Sequence, residues 1–210
     1  MNTLFKNLLL FLAISISNQF FSQFQINAFA GNKESELLGI FDKDFKSNPK
    51  WNYFGSGSFS YNYDEKKLGV QLYQNLNYQI AKNLGFSLGA TISNDDVSPL
   101  LGLAYSREIG NFGFSFFPGI NYSFTDKEMG YGFYSFAEYT PKINENLNFY
   151  SMLIISTDLS FKEHTLSYQD LRLGLETKKK FQYGIGTSIS ETGKDFSTEA
   201  NYGVFFGKKF

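Results

Sequence analysis

The end of the chain alternates between two kinds of side chain with a period of two. Successive side chains of a β-strand point to opposite faces, so this segment has one apolar face and one small or polar face. The apolar set is Ala200, Tyr202, Val204, Phe206 and Phe210, and the opposite set includes Asn201, Gly203 and Gly207. Such a strand has to bury its apolar face, against either lipid or an internal core.

The same alternation predicts antiparallel strands along most of the chain. Leu68–Ile80 and Leu84–Ile92 are in phase on either side of Ala81–Asn83, which predicts a hairpin. The predicted turns alternate between a short set and a generally longer set, in which Ser156–Ser167 is the longest late loop. Short turns are typical of the periplasmic side of a membrane barrel, which would place the C-terminus in the periplasm. The short set is Ala81–Asn83, Glu108–Asn111, Lys142–Asn146 and Lys178–Lys180, and the longer set is Ser93–Pro99, Thr125–Gly130, Ser156–Ser167 and Glu191–Phe196.

The segment before Trp51 has two interpretations. In the first, Phe24–Gly31 and Glu36–Phe45 are strands, which gives twelve in total. In the second, Glu34–Phe45 is an amphipathic helix with apolar residues at helical spacing, and it plugs or caps a ten-stranded barrel. Gly39 weakens the helix, so twelve strands are favoured. The predicted fold class is therefore all-β, a transmembrane antiparallel up-and-down β-barrel.

The N-terminus has the layout of a secretory signal peptide. Lys6 precedes the apolar run Leu8–Ile16, which is much shorter than the roughly 20 residues of a helical bilayer span. Cleavage after Ser17 or after Ser22 is consistent with this layout, and the second is favoured. The prediction is a signal peptide over residues 1–22 and a single barrel domain over residues 23–210.

Composition excludes several other classes of protein. Aromatic residues make up 19% of the chain, and Phe and Tyr favour strands and membrane interfaces. The net charge of −1 gives no basic footprint for nucleic acid. The chain has no cysteine, which excludes disulfides and thiolate chemistry. A lipocalin-like soluble barrel is the competing fold, and in it the large apolar residues would form an internal core.

The face opposite the apolar residues carries many small, uncharged side chains. In a ten- or twelve-stranded barrel these residues leave room for water, a plug or a small ligand. Alternatively, the glycines only allow the strands to bend and close tightly. Examples from three strands are Gly69, Gln71, Asn75, Asn77 and Gln79; Gly85, Ser87, Gly89 and Thr91; and Gly113, Ser115, Gly119, Asn121 and Ser123.

Four charged strand residues share this inward phase: Glu138, Arg172, Glu176 and Glu199. A basic side chain facing lipid costs about 2–4 kcal/mol at mid-bilayer, so we expect these groups in the lumen. Arg172 and Glu176, with Glu138 or Glu199 across the lumen, would form either a constriction or an internal ion-pair network. The network is favoured because ionisable groups inside membrane proteins commonly pair.

His164 is the only histidine and therefore the only imidazole that can assist a nucleophile. Glu163 and Ser167 lie close to it in the chain, but proximity in sequence does not establish a triad. The sequence predicts no enzyme, with a lipid hydrolase or acyltransferase using His164 as the alternative. It also predicts no cofactor and no metal site, since Asp95, Asp96, Asp126 and Glu128 lack the spacing of a defined calcium loop.

The chain resembles bacterial outer-membrane β-barrel proteins of the small porin-like kind. The resemblance covers the signal segment, Trp51–Phe210 and the terminal aromatic residue. It implies contact with outer-membrane lipid and with the barrel-assembly machinery, which would recognise Tyr202, Val204, Phe206 and Phe210 as a C-terminal signal. Lys208 departs from that signal, because an apolar or aromatic residue is commoner there.

The weakly charged inner face favours a narrow passive channel for small solutes. The alternative is a non-conducting structural or accessory subunit of an envelope complex, with other envelope subunits as its partners. No nucleic-acid partner is expected.

Overall fold

The computed structural model describes residues 23–210 as twelve β-strands. Among these residues, no helix is long and apolar enough to cross a membrane. The strands are β1 Gln23–Gly31, β2 Glu34–Asp44, β3 Trp51–Asn62, β4 Lys67–Ala81, β5 Leu84–Ser93, β6 Val97–Ile109, β7 Phe112–Ser123, β8 Glu128–Tyr139, β9 Leu147–Ser160, β10 His164–Thr177, β11 Phe181–Thr192 and β12 Ser197–Lys209. The predicted signal peptide, residues 1–22, lies outside the described residues.

The strands form one closed antiparallel barrel in which each pairs with its neighbours in sequence. β1 closes the ring by pairing with β12, with Ile26 opposite Lys208 and Gly31 opposite Gly203. The prediction of an all-β barrel with twelve strands is confirmed. We call the end where β1 begins and β12 ends the terminal rim, and the opposite end the far rim.

The alternative of a helix at Glu34–Phe45 is wrong. This segment is the strand β2, which pairs with β1 on one side and β3 on the other. Leu38 and Ile40 are buried inside the barrel, whereas Leu37 is exposed on its outer face. The apparent helical spacing arose because apolar residues occupy both faces of this strand.

The predicted long loop Ser156–Ser167 is also wrong. β9 and β10 pair across most of this segment, and residues 161–163 connect them. Polar residues break the apolar alternation there, but backbone pairing continues; the outward hydroxyls of Thr157 and Ser167 lie 3.2 Å apart. The longest connections, residues 45–50 and 140–146, are at the terminal rim. Loop length therefore gives no support for the predicted orientation.

The outer face of the barrel is apolar. Leu88 is 63% exposed and Leu101 is 56% exposed, so the lipocalin-like alternative with these residues inside is wrong. Outward aromatic side chains pair at the terminal rim, where the ring centroids of Trp51 and Tyr78 are 4.9 Å apart. Others pair at the far rim, where Tyr122 lies 5.6 Å from Phe124. Two aromatic girdles flanking an apolar band are typical of membrane barrels.

Candidate functional site in the barrel lumen

Aromatic side chains fill the middle of the lumen on one side. We call Phe54, Tyr73, Phe117, Tyr134 and Phe136 the aromatic septum; they come from β3, β4, β7 and β8. The ring centroids of Phe54 and Phe117 are 4.7 Å apart, and Tyr73 stacks on Tyr134 at 4.4 Å. Phe117 is only 1% exposed. The rings therefore form a packed layer across this part of the barrel.

A buried ion cluster occupies the other side of the lumen. The Arg172 Nη2 atom donates hydrogen bonds to Glu36 at 2.6 Å and to Asp170 at 2.8 Å. The guanidinium also lies over the Phe29 ring, 4.6 Å from its centroid. Arg172 is fully buried, as are the neighbouring Tyr150 and Met152. The septum and this cluster together close the middle of the barrel in this conformation.

The predicted grouping of Arg172 with Glu176 is wrong. Arg172 extends along β10 to Asp170, which shares its inward face, and across the lumen to Glu36. Sequence reasoning missed Glu36 because its segment was read as either a strand or a helix. It also missed Asp170, which lies two residues before Arg172 and therefore shares its inward face.

The other predicted lumen residues lie in separate places. Glu176 is buried near the terminal rim, where it accepts hydrogen bonds from Lys180 at 2.8 Å and from Gln182 and Asn148 at 3.1 Å. Glu138 pairs with Lys209 at 2.7 Å. Glu199 is exposed near the far rim. The four residues do not form a single constriction.

The expectation of a lumen left open by small residues is wrong for its middle section. It overlooked the aromatic residues in the same inward phase, Tyr73, Phe117, Tyr134 and Phe205 among them. The glycines instead permit close packing: a Cβ added at Gly186 would lie 3.1 Å from the Phe29 ring, and one at Gly184 would lie 2.1 Å from the Leu173 carbonyl oxygen. Glycine at these positions makes room for rings and for neighbouring strands.

Cavities enter the barrel from both rims and stop at the septum. From the far rim, two adjoining cavities share Gln71, Thr91 and Asp158 in their linings. We call them the far vestibule; its inner end is lined by Tyr73 and Tyr134. From the terminal rim, a third cavity reaches Phe54 and Phe136. One face of the septum therefore points toward the far rim, and the other points toward the terminal rim.

The far vestibule and the terminal-rim cavity differ in charge. The far vestibule is lined by Glu36, Asp96, Asp126, Glu128, Asp158 and Asp170, with no lysine or arginine among its described lining residues. The terminal-rim cavity instead mixes Asp42, Glu108 and Glu138 with Arg107 and Lys209. The far side of the lumen therefore has an excess of carboxylates.

Hydrogen bonds keep one of these carboxylates ionised. Asp96 lies in the turn before β6, where the Ser98 hydroxyl donates to it at 2.6 Å and the Thr125 N–H at 3.0 Å. Slight burial raises the pKa of Asp96, but the hydrogen bonds outweigh this effect and lower it to about 2. This group is negatively charged at any physiological pH.

His164 is buried where two far-rim turns meet. Its Nε2 lies 2.9 Å from the Ser167 hydroxyl, and its Nδ1 lies 3.1 Å from the Gly193 carbonyl oxygen. The imidazole stacks on Phe196 at 4.3 Å. The serine anticipated beside His164 does contact it. The group on Nδ1 is a backbone carbonyl instead of the Glu163 side chain.

The four residues of the predicted assembly signal face outward. Tyr202, Val204, Phe206 and Phe210 are all exposed on the barrel surface. The Lys208 ammonium, which departs from the signal, lies 4.7 Å from the Phe181 ring centroid and 4.9 Å from that of Phe210. Recognition of this segment by an assembly machinery stays a prediction.

Solved structures of porins share this architecture. The chain matches the NanC porin with a TM-score of 0.53 and 11% identity, over 90% of this chain and 100% of that one. It matches the KdgM porin with a TM-score of 0.51 and 8% identity, over 90% and 99%. The chain has the fold of a small outer-membrane porin. No protein-family model and no curated protein sequence matches it. At these identities the similarity shows the fold, and function has to be argued from the lumen.

Proposed function

We propose that this protein is a narrow porin-like channel for small solutes in the bacterial outer membrane, with its C-terminus in the periplasm. The observation that carries the proposal is the pair of cavities, one from each rim and each lined by charged as well as apolar side chains, that meet at the aromatic septum. A barrel with a purely structural role does not need cavities that face each other across one constriction.

The septum sets the size limit in this proposal. Its rings are held by packing and stacking, which are weaker constraints than backbone pairing, so side-chain rotations can open a path without unfolding a strand. Only small solutes pass through an opening of that kind. The wild-type conductance is therefore expected to be small.

The ligand of one structural neighbour does not suit this lumen. A second KdgM structure, matched with a TM-score of 0.50 and 8% identity over 90% of this chain, is described as a complex with disordered oligogalacturonate. Such a chain of uronic acids carries carboxylates and would be repelled by the carboxylates of the far vestibule. We therefore do not extend that ligand to this channel.

Truncation of one septum ring tests the proposal. Phe117→Ala removes a ring from the middle of the lumen and is expected to raise single-channel conductance several-fold in planar bilayers. Phe116→Ala, the matched control, removes a neighbouring outward ring and is expected to leave conductance unchanged. Heat-modifiable migration on gels checks that each variant is folded.

A channel function is contradicted if both the wild type and folded Phe117→Ala are silent. That result would favour the second candidate, a non-conducting scaffold or subunit of an envelope complex. The observation that favours this alternative is the fully packed middle of the lumen, where Arg172, Tyr150 and Met152 have no exposed surface. Stoichiometric partners recovered in mild detergent would then be expected.

We also propose that His164 has a structural role and that the protein is not an enzyme. The Ser167 hydroxyl is shared between His164 and Thr157, and the imidazole links the turn after β9 to the turn after β11. The alternative of a lipid hydrolase or acyltransferase requires this imidazole to take a proton from Ser167. An altered lipid profile in cells that carry His164→Ala would favour the enzyme.

A further inference from the structure

The charge of the far vestibule indicates which solutes can enter. Its lining contains six carboxylates, and two basic groups pair with three of them: Arg172 with Glu36 and Asp170, and Lys162 with Glu128 at 2.6 Å, so the carboxylates outnumber the basic groups that pair with them. Lysines in the far-rim turns, such as Lys33, Lys66 and Lys127, are outside this lining. Bulk solvent and salt screen their charge, whereas a partly enclosed cavity screens less. The net field inside the vestibule is therefore negative.

The inner end of the vestibule offers unused polar groups. The hydroxyls of Tyr73 and Tyr134 are buried and make no hydrogen bond of standard geometry among the described residues, although Asn75 lies beside the first and Ser56 beside the second. Tyr134 is 6% exposed and Tyr73 is 8% exposed, and both line the cavity that Asp158, Asp170 and Glu36 also line. A buried hydroxyl without a well-formed hydrogen bond costs free energy, and a ligand that donates a hydrogen bond recovers this cost once the septum ring turns its hydroxyl toward the cavity.

Together these features fit one chemical class. An ammonium group donates hydrogen bonds to carboxylate and hydroxyl oxygens, and its positive charge is attracted to carboxylates and to the faces of aromatic rings. We infer that the far vestibule binds small ammonium cations and makes the channel selective for cations over anions. This inference rests on the proposed channel function and adds the class of solute to it. Charged side chains arranged around a pore are a common source of ion selectivity.

Reversal potentials across a KCl gradient test the selectivity. The wild-type channel is expected to favour potassium over chloride by a ratio on the order of 10. Asp158→Asn and Glu128→Gln each remove one vestibule charge and are expected to lower this ratio at least twofold. Glu145→Gln removes an exposed carboxylate in the connection at residues 140–146 of the terminal rim, and it serves as the matched control with an unchanged ratio.

Methylammonium chloride tests the binding site itself. Tyr134→Phe removes the hydroxyl and keeps the ring, so the permeability of methylammonium relative to potassium is expected to fall at least twofold. Asp158 is partly buried, and if its variant fails to fold, the Glu128→Gln variant still decides the selectivity, because Glu128 lies beside the far-rim turn as the first residue of β8.

The outcomes separate this inference from the channel itself. Conductance with a preference for chloride, or a preference for potassium that neither acidic variant changes, overturns the inference and leaves the channel standing. A relative methylammonium permeability unchanged in Tyr134→Phe overturns the ammonium site alone. Silence of both the wild type and folded Phe117→Ala overturns both the channel and the inference.

Discussion

At the scale of single residues, Arg172 is the most constrained side chain of the lumen. It is fully buried, it hydrogen-bonds Glu36 and Asp170, and it packs over Phe29. The three charges are tolerated in the barrel because they neutralise one another in part. Removal of the guanidinium would leave two carboxylates buried without a counter-charge.

Arg172→Gln is therefore expected to destabilise the barrel by about 3–5 kcal/mol, the cost of breaking a buried ion pair. This loss of stability is measured by urea unfolding in lipid vesicles, in which the folded and unfolded fractions are read from their separate bands on a gel. Arg107→Gln is the matched control, because Arg107 is exposed, and little change is expected. Equal stability of the two variants would show that the cluster does not hold the lumen together.

At the scale of elements, period-two alternation was enough to place most of the strands. Each strand has to present apolar residues to lipid, so the outward sets, such as those of β5 and β12, were readable directly. The far-rim ends of β9 and β10 were predicted to be a loop because the outward side chains beyond the apolar band are polar. Backbone pairing nevertheless continues there, as at Thr157 and Ser167. The inward set was harder, because the lumen accepts Gly, Arg and Phe alike. Which of them meet depends on tilt and register between distant strands, which no local pattern specifies.

The contact between two far-rim turns gives a prediction at this scale. His164→Ala removes the hydrogen bond to the Gly193 carbonyl and the stacking on Phe196. A hydrogen bond contributes about 1 kcal/mol, so opening of the turn at residues 193–196 should rise on the order of fivefold. Trypsin cleavage after Lys194 in the folded barrel reports this opening. Glu163→Ala is the neighbouring exposed control, and identical cleavage rates in the two variants would contradict the structural role of His164.

At the scale of the whole molecule, the barrel reverses the arrangement of a soluble protein. Its apolar surface lies outside, as Leu88 and Leu101 show, and its polar and charged groups line the lumen or pair inside it. Porins share this architecture, so the function of this chain has to be argued from its lumen. Here the lumen has a carboxylate-rich far side, a mixed terminal side and an aromatic septum between them.

Thiol labelling tests this arrangement most directly, because the chain has no cysteine of its own. Single cysteines are introduced at Ser58, which lines the far vestibule, at Ser106, which lines the terminal-rim cavity, and at Leu88 on the outer face. The folded barrel in lipid vesicles is then exposed to a small, water-soluble thiol reagent. We predict that Ser58→Cys and Ser106→Cys are modified while Leu88→Cys is protected by lipid. Rapid modification of Leu88→Cys with both lumen positions protected would contradict the arrangement.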